Sequence, residues 1–209
     1  MNIEENITRK INLIDNDGLS AYSNHAAQQS HNAFRVFYNF IKETKPSQIV
    51  EIGTALGGFT AFLKLVCNEL NLNTYILSYD IYSKPWYDDI IKMGVDVRVE
   101  DIFTNTDYGV QSHAIDSIKK PGTSIVLCDG GNKINEFNIF SNFLKNNDFI
   151  LAHDYAKDRT TFDSYINRKI WNWLEIQDSD ISAACISNNL MDYNQEIFNS
   201  VAWVCKQKQ

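Results

Sequence analysis

The stretch Q-I-V-E-I-G-T-A-L-G-G, residues 48–58, joins two kinds of local structure. Its first five residues are largely β-branched and apolar, which is typical of a buried strand. Gly53, Gly57 and Gly58 then interrupt this pattern, and residues 59–70 repeat apolar side chains at helical spacing. Glycines between a strand and a helix let the backbone approach a ligand closely, because no Cβ intervenes. The stretch therefore predicts a strand, a ligand-binding loop and a helix.

The same alternation extends along most of the chain. Further strands are predicted at 73–79, 95–99, 124–128 and 149–152, and further helices at 21–44, 86–93, 109–118, 135–144 and 161–174. Strands that alternate with helices favour a parallel sheet with helices on both faces. The sequence thus predicts a doubly wound α/β sheet.

The C-terminal part has a different pattern. Two strand-like runs, 181–186 and 200–205, follow each other without a convincing helix between them, which favours an antiparallel pair. We therefore expect an antiparallel edge strand at the end of the chain. We predict one domain over residues 1–209, with a helical N-terminal cap at 1–45 and the sheet at 46–209.

Composition narrows the class of protein. The 209 residues are 44% hydrophobic, which is enough for one substantial core. The formal charge of −7 disfavours a nucleic-acid partner, which needs clustered Lys and Arg. No apolar run is long enough to span a membrane, and the N-terminus lacks the pattern of a signal peptide. The four cysteines form no C-x-x-C pair, so a cytoplasmic protein without a zinc site is expected.

Acidic residues mark the end of one predicted strand after another. They are Glu51, Asp80, Asp101, Asp129 and Asp154. In open α/β sheets, ligands bind beyond the carboxyl ends of the strands. One acid at a strand end is explained by capping of the next helix, but five in succession indicate a shared site.

The spacing of the glycine loop limits the class of ligand that it can bind. Its spacing G-x-x-x-G-G differs from the dinucleotide pattern G-x-G-x-x-G, and it lacks the G-K-[ST] of a phosphate-binding loop. Such a loop suits a ligand with a ribose and a zwitterionic tail.

The motifs V-E-I-G-T-A-L-G-G (50–58), L-S-Y-D (77–80) and V-E-D (99–101) resemble those of class I S-adenosylmethionine (SAM)-dependent methyltransferases, which have a Rossmann-like fold. The resemblance implies that the glycine loop contacts the amino-acid part of SAM, that Asp80 binds the ribose hydroxyls and that Asp101 and Ile102 bind adenine. It implies the cofactor-binding residues Glu51, Gly53, Thr54, Ala55, Gly57, Gly58, Asp80, Asp101, Ile102 and Asp129.

Asp129, His153 and Asp154 end adjacent strands and are expected to converge. Two carboxylates and an imidazole at one point need a positive partner, and a divalent cation would supply it. The pattern resembles the metal-dependent O-methyltransferases, which include catechol, caffeoyl-coenzyme A, macrolide-sugar and cephalosporin-hydroxylase-like types. His153 departs from the carboxylate usual there. The resemblance implies Mg²⁺ or Mn²⁺ on these three residues, with Lys133, His153 and Asp129 as candidate catalytic residues.

The function expected from this resemblance is O-methylation of a small hydroxylated acceptor, a sugar or a phenol. Candidate residues of the acceptor pocket are Tyr22, His25, Gln28, Gln29, His31, Trp86, Tyr155 and Arg159. The helix at 21–44 also fits a homodimer. Three alternatives stay open: a metal-independent methyltransferase acting on nitrogen or on proteins with His153 as base, an NAD-dependent oxidoreductase, which the loop disfavours, and a non-catalytic cofactor-binding protein.

Overall fold

A computed structural model describes residues 13–14, 20–22, 25–104 and 109–209, with side chains from residue 27 onward. Its main sheet has seven strands in the order β6-β5-β4-β7-β8-β10-β9. These strands are β4 (Gln48–Ile52), β5 (Tyr75–Asp80), β6 (Asp96–Val99), β7 (Ser124–Cys128), β8 (Phe149–Ala152), β9 (Leu190–Asp192) and β10 (Val204–Lys208). A small antiparallel sheet contains β1 (Leu13–Ile14), β2 (Ser20–Tyr22) and β3 (His25–Ala26).

Helices connect these strands. They are α1 (Ala33–Thr44), α2 (Gly58–Glu69), α3 (Tyr87–Lys92), α4 (Ser112–Lys119), α5 (Lys133–Phe140), α6 (Arg159–Thr161), α7 (Asp178–Ser187) and α8 (Gln195–Asn199). A 3₁₀ turn, Ser141–Phe143, follows α5, and a π-helical turn, Phe162–Ile166, follows α6.

The strands β4 to β8 are parallel, and β4, β7 and β8 are buried on both faces, whereas the edge strand β6 is partly exposed. Ile49 and Ile125 belong to a core with α1, α2 and α8, whereas their neighbours Val50 and Val126 belong to a second core with α4, α5 and α7. Successive side chains point to opposite faces of a strand, so both must be apolar where helices cover both faces. This explains the continuous apolar runs and confirms the predicted doubly wound sheet.

The N-terminal helix is shorter than predicted. It begins at Ala33 rather than at residue 21, because His25–Ala26 is a strand and Gln28 has a left-handed φ of 51°, which a helix does not accommodate. Within the described residues, the predicted cap at 1–45 is therefore helical only from Ala33. Residues 1–12, 15–19 and 23–24 lie outside the described part.

Two predictions near the C-terminus are wrong. The helix predicted at 161–174 ends at Ile166, and the chain turns at Arg168, whose φ is 58°. The strand predicted at 181–186 is helix α7, in which Ile181 is buried but Ile186 is 83% exposed, so the run does not have the two buried faces of an interior strand. The Asp180 carboxylate accepts a hydrogen bond from the Gln177 amide, which fixes the start of this helix.

The antiparallel end of the sheet is confirmed. Strand β10 pairs antiparallel with β8, and β9 adds a second antiparallel strand beyond it. The predicted run 200–205 enters the sheet only at Val204. Cys128 and Cys205 are buried core residues, as predicted. In the described ranges, every helix is too short or too polar to cross a membrane.

Candidate functional site

A cavity of about 850 Å³ opens at the carboxyl ends of β4, β5, β6 and β7. Its walls include six residues that the sequence predicts to bind the cofactor. These are Gly53, Ala55, Asp80, Asp101, Ile102 and Asp129. The volume lies within the usual range for small-molecule sites. The strand ends therefore bring these distant positions to one place.

The glycine loop lies tightly against the end of β7. Gly53 has a φ of 98°, and a Cβ built on it would lie 2.3 Å from the Asp129 carbonyl oxygen. Gly57 has a φ of 77°, and its Cβ would lie 2.2 Å from the Ile90 side chain. Both positions thus require glycine for space as well as for backbone conformation. Gly57, Gly58 and Thr54 support the loop but do not line the cavity.

Glu51 is buried behind the loop and organises it. Its Oε2 accepts hydrogen bonds from Thr60 Oγ1 at 2.7 Å and from Ser78 Oγ at 2.5 Å. Ser78 Oγ in turn lies 2.6 Å from Thr54 Oγ1 in the loop. Burial raises the pKa of Glu51 from 4.5 to about 7. Glu51 is outside the cavity wall, so its place fits the predicted role of ordering the loop.

Asp80 stands at the end of β5 in a fixed orientation. Its Oδ2 accepts a hydrogen bond from the Ala55 amide at 2.7 Å, and its Oδ1 accepts one from the Tyr82 amide at 2.9 Å. Further along the wall, Asp101 Oδ1 accepts from the Phe103 amide at 2.9 Å, and Ile102 is buried. Backbone donors thus hold both carboxylates at the rim of the cavity.

The turn after β7 is held by a buried acid that the sequence reasoning missed. Glu136 accepts hydrogen bonds from the amides of Gly130 at 3.2 Å and Asn132 at 3.0 Å. Burial raises the pKa of Glu136 from 4.5 to about 7. Glu136 also lines the cavity, and its signal in the sequence is an acid in the first turn of the helix that follows D-G-G-N. A Cβ on Gly131 would meet nothing within 4 Å, so this glycine faces open space.

Asp129 connects the cavity to a buried polar cluster. Its Oδ2 accepts a hydrogen bond from Gln29 Nε2 at 2.8 Å, and its Oδ1 lies 3.1 Å from His153 Nδ1. Gln29 is fully buried and accepts in turn from Trp203 Nε1 at 2.8 Å. The His153 ring stacks on Trp203 with centroids 4.8 Å apart. The N-terminal segment thus closes over this end of the sheet.

Lys133 supplies the positive charge of the cluster. Its Nζ lies 2.8 Å from Asp154 Oδ2, 2.8 Å from Glu175 Oε2 and 3.7 Å from Asp129 Oδ1. Burial alone would lower the pKa of Lys133, but the charges of Asp129 and Asp154 and the hydrogen bonds to Asp154 and Glu175 outweigh it and raise the pKa. Lys133 is therefore an ammonium ion at neutral pH.

Asp154 is fixed from two sides. Its Oδ2 faces Lys133, and its Oδ1 accepts a hydrogen bond from Trp171 Nε1. Burial alone would raise the pKa of Asp154, but the electrostatic contributions of the neighbouring His153 and Lys133 and the hydrogen bonds from Lys133 and Trp171 lower it overall. We call Asp129, Lys133, His153, Asp154 and Glu175 the acid–lysine cluster.

The predicted metal ligands do come together. The ligand atoms of Asp129, His153 and Asp154 lie within 4.8 Å of one another. As arranged, however, they do not fit a divalent cation. Each of the four carboxylate oxygens already faces a protein donor, and the His153 nitrogen that faces Asp129 is at hydrogen-bond distance from it. A metal would have to displace the ammonium group that lies among the carboxylates.

Residues of the cluster other than Asp129 do not line the cavity. Lys133, His153 and Asp154 are at most 7% exposed. Sequence reasoning missed Trp171 and Glu175, because they come from a segment that it assigned to a helix and the turn after it.

The predicted acceptor residues are dispersed. Gln29 belongs to the support of Asp129, and Tyr155 is buried with its hydroxyl donating to Asp178 at 2.7 Å. Arg159 is exposed on α6 and pairs with Asp163 at 3.0 Å. The side chains of Tyr22 and His25 lie outside the described part. Gln29, Tyr155 and Arg159, which belong to the described part, therefore do not line one pocket.

Comparison with known proteins identifies the fold. No protein-family model and no curated protein sequence matches the chain. A solved structure of CmcI with Mg and SAM is 12% identical, with a TM-score of 0.61, and the match covers 90% of this chain and 76% of that chain. A CmcI structure with SAH is 14% identical, with a TM-score of 0.58, and the match covers 90% and 82%.

A structure of human N-acetylserotonin methyltransferase in complex with SAM is 12% identical, with a TM-score of 0.50, and the match covers 85% of this chain and 52% of that chain. At such identities the likeness establishes the fold. The chain shares the fold of these solved structures, and its mostly parallel sheet confirms the predicted Rossmann-like architecture.

Proposed function

We propose that this protein is a SAM-dependent methyltransferase that methylates a hydroxyl group of a small molecule, a sugar or a phenol. The observation that carries the proposal is the cavity at the carboxyl ends of β4 to β7. Its wall combines the glycine loop with Asp80, Asp101 and Asp129, which sequence reasoning assigned to SAM on independent grounds.

The cavity suits each part of the cofactor. Asp80 presents a carboxylate whose two oxygens each have a lone pair left for a vicinal diol, after the hydrogen bonds from Ala55 and Tyr82. Ile102 offers an apolar surface for the adenine ring, and Asp101 lies beside it on the wall. Gly131 leaves open space above the end of β7.

The chemistry requires few groups, because SAM supplies a methyl group already activated on a sulfonium. Asp129 accepts a hydrogen bond from the acceptor hydroxyl and takes its proton as the oxygen–methyl bond forms and the methyl–sulfur bond breaks. Gln29 and His153 hold this carboxylate in one orientation. Positioning the two reactants in line is the main contribution of the site.

Lys133 acts in this proposal as a fixed cation. Its raised pKa keeps it protonated, so it does not remove the acceptor proton. Its charge lies 3.7 Å from Asp129 and offsets part of the negative charge of the cluster. The divalent cation expected from the resemblance has no step in this mechanism, because the ligands do not fit it as arranged.

The test is methyl transfer from radiolabelled SAM to a panel of sugars and phenols, with amines and whole proteins as comparison acceptors. Asp129→Asn is expected to lower kcat about 100-fold, in the range of a lost general base. SAH affinity of the same variant, measured in parallel, separates loss of the base from loss of cofactor binding. Asp116→Asn, at an exposed position on α4, is the matched control and should leave kcat unchanged.

Three results would contradict the proposal. Transfer to amines or proteins alone would favour nitrogen or protein methylation. SAH binding without transfer to any acceptor would favour a cofactor-binding protein. An Asp129→Asn variant with normal kcat would remove Asp129 from the reaction.

A further inference from the structure

The carboxylates at the ends of β7 and β8 raise the question of what neutralises them. Asp129, Asp154 and Glu175 lie within 4 Å of one ammonium group, that of Lys133. The side chain of Lys133 is only 6% exposed, and its Nζ also donates to the Gly130 carbonyl at 3.0 Å. The lysine is therefore built into the site and is not a surface side chain that happens to reach it.

We propose that Lys133 takes the place of a divalent cation, so that this protein binds SAM and transfers its methyl group without a metal. The ammonium group occupies the position among the carboxylates where a cation would lie. The inference rests on the proposed function for the role of the cluster, whereas its test measures metal binding directly.

The surroundings keep the lysine in place. Gln29 donates to one oxygen of Asp129 and Trp171 to one oxygen of Asp154, which holds the other oxygen of each carboxylate towards Lys133. His153 lies between Trp171 and Trp203, with ring centroids 4.6 and 4.8 Å away. The His153 Nδ1 faces the carboxylates, so it is a hydrogen-bond donor there and not a free metal ligand.

A consequence is that the cluster should be able to bind a metal ion once the charge of Lys133 is removed. Removing the ammonium group leaves the carboxylates of Asp129 and Asp154 and the imidazole of His153 within 4.8 Å of one another without that counter-charge, which is a set of donors that suits Mn²⁺. Lys133→Met keeps much of the side-chain volume and removes the charge. This variant is expected to gain a cation site that the natural protein lacks.

Lys145 provides a matched control. Its Nζ lies 2.7 Å from the buried Asp148, so it is also a lysine paired with a buried aspartate. Asp148 directly precedes β8, at the opposite edge of the sheet from the cluster. Lys145→Met therefore removes a similar ion pair without exposing the donors of the cluster.

The experiment titrates Mn²⁺ into the full chain after chelator treatment and follows free Mn²⁺ by electron paramagnetic resonance. The wild type and Lys145→Met should leave Mn²⁺ free up to about 1 mM, the weak end of protein cation sites. Lys133→Met should bind Mn²⁺ at least about tenfold more tightly, and adding Asp154→Asn should abolish the gain. EDTA should leave methyl transfer by the wild type unchanged.

A wild type that binds one Mn²⁺ well below 1 mM, with loss on Asp154→Asn, would overturn the inference. So would a folded Lys133→Met variant that gains no Mn²⁺ affinity. If Lys133→Met does not fold, the wild-type titration still decides. SAH binding is measured on the same samples to test the proposed function separately. Absence of SAH binding counts against the proposed function, whatever the Mn²⁺ titration shows.

Discussion

Among the described residues, two buried glutamates have pKa values that the fold raises to near neutrality. Burial raises the pKa values of Glu51 and Glu136 from 4.5 to about 7. Glu51 holds the glycine loop through Thr60 and Ser78, and Glu136 holds the turn after β7 through two amides. Both walls of the cavity therefore depend on acids that are partly protonated at neutral pH.

These shifts predict how stability depends on pH. Because the folded state holds each proton more tightly than the unfolded chain, the contribution of each glutamate is largest below about pH 4.5 and is lost as the pH rises to about 7. The loss is at most about 3 kcal/mol per group. Glu136→Gln should flatten the decline in the free energy of unfolding between pH 5 and pH 7.5, as measured by urea denaturation.

Glu196→Gln, at an exposed position on α8, is the control and should keep the wild-type pH profile. If Glu136→Gln follows the wild-type profile as well, Glu136 does not carry a raised pKa in the folded protein.

Asp80 gives a prediction for the cofactor. Asp80→Asn keeps an oxygen for the backbone but loses the charge and one acceptor for the ribose hydroxyls, so SAH affinity should fall by about tenfold to a hundredfold, in line with a charged hydrogen bond. Isothermal titration calorimetry measures it. Asp89→Asn on α3, where the side chain is exposed, should bind SAH like the wild type; equal affinities for both variants would exclude Asp80 from the site.

Single residues were predictable where a strand fixes them. Asp80 and Asp129 end buried strands, so the pattern of the strand gives their place without any knowledge of packing. Gln29 contacts Asp129, which lies 100 residues further along the sequence, and no local pattern predicts such a contact. Lys133 was recognised, but its ionic partners Asp154 and Glu175 depend on packing between segments.

At the scale of elements, the two loops that form the cavity have different tolerance for side chains. Gly53→Ala places a Cβ against the Asp129 carbonyl at a φ of 98°, whereas Gly131→Ala meets nothing within 4 Å. We expect Gly53→Ala to lower the free energy of unfolding by about 1–3 kcal/mol or more, and Gly131→Ala to change it by less than about 0.5 kcal/mol. Chemical denaturation tests both, and equal stability of the two variants would contradict the packing described for the loop.

The segment 167–176 returns to the sheet instead of continuing a helix, and Trp171 is its anchor. Trp171→Phe removes the donor to Asp154 and leaves a buried carboxylate oxygen without it, which should cost about 1–3 kcal/mol. Trp173, half exposed in the same segment, is the matched control, and Trp173→Phe should be nearly neutral. Thermal denaturation distinguishes them; if both variants melt like the wild type, Trp171 is not the anchor.

Sequence patterns predicted the five parallel strands well. In β7 and β8, burial on both faces leaves mostly apolar side chains between turn residues. The edge strand β6, which is partly exposed, alternates Asp96 and Arg98 with valines. The patterns failed at residues 161–174 and 181–186. In the first, Trp171 contacts Asp154 and His153 of the acid–lysine cluster instead of continuing a helix. In the second, alanines and isoleucines form a helix with a single buried residue, Ile181.

At the scale of the whole molecule, the direction of the strands determines where function resides. Five parallel strands place all their carboxyl ends on one edge, so Asp80, Asp101 and Asp129 line one cavity. The alternation of strands and helices made this predictable. The closure of that edge by Gln29, Trp171 and Trp203 was not, because it depends on how the ends of the chain pack against the sheet.

The most direct test of the account is isothermal titration of SAH into the wild-type chain. We expect one SAH bound per chain with micromolar or tighter affinity, about −8 kcal/mol or more favourable, and a matching rise in the melting temperature. No binding of SAH, or tight binding of NAD in its place, would contradict it.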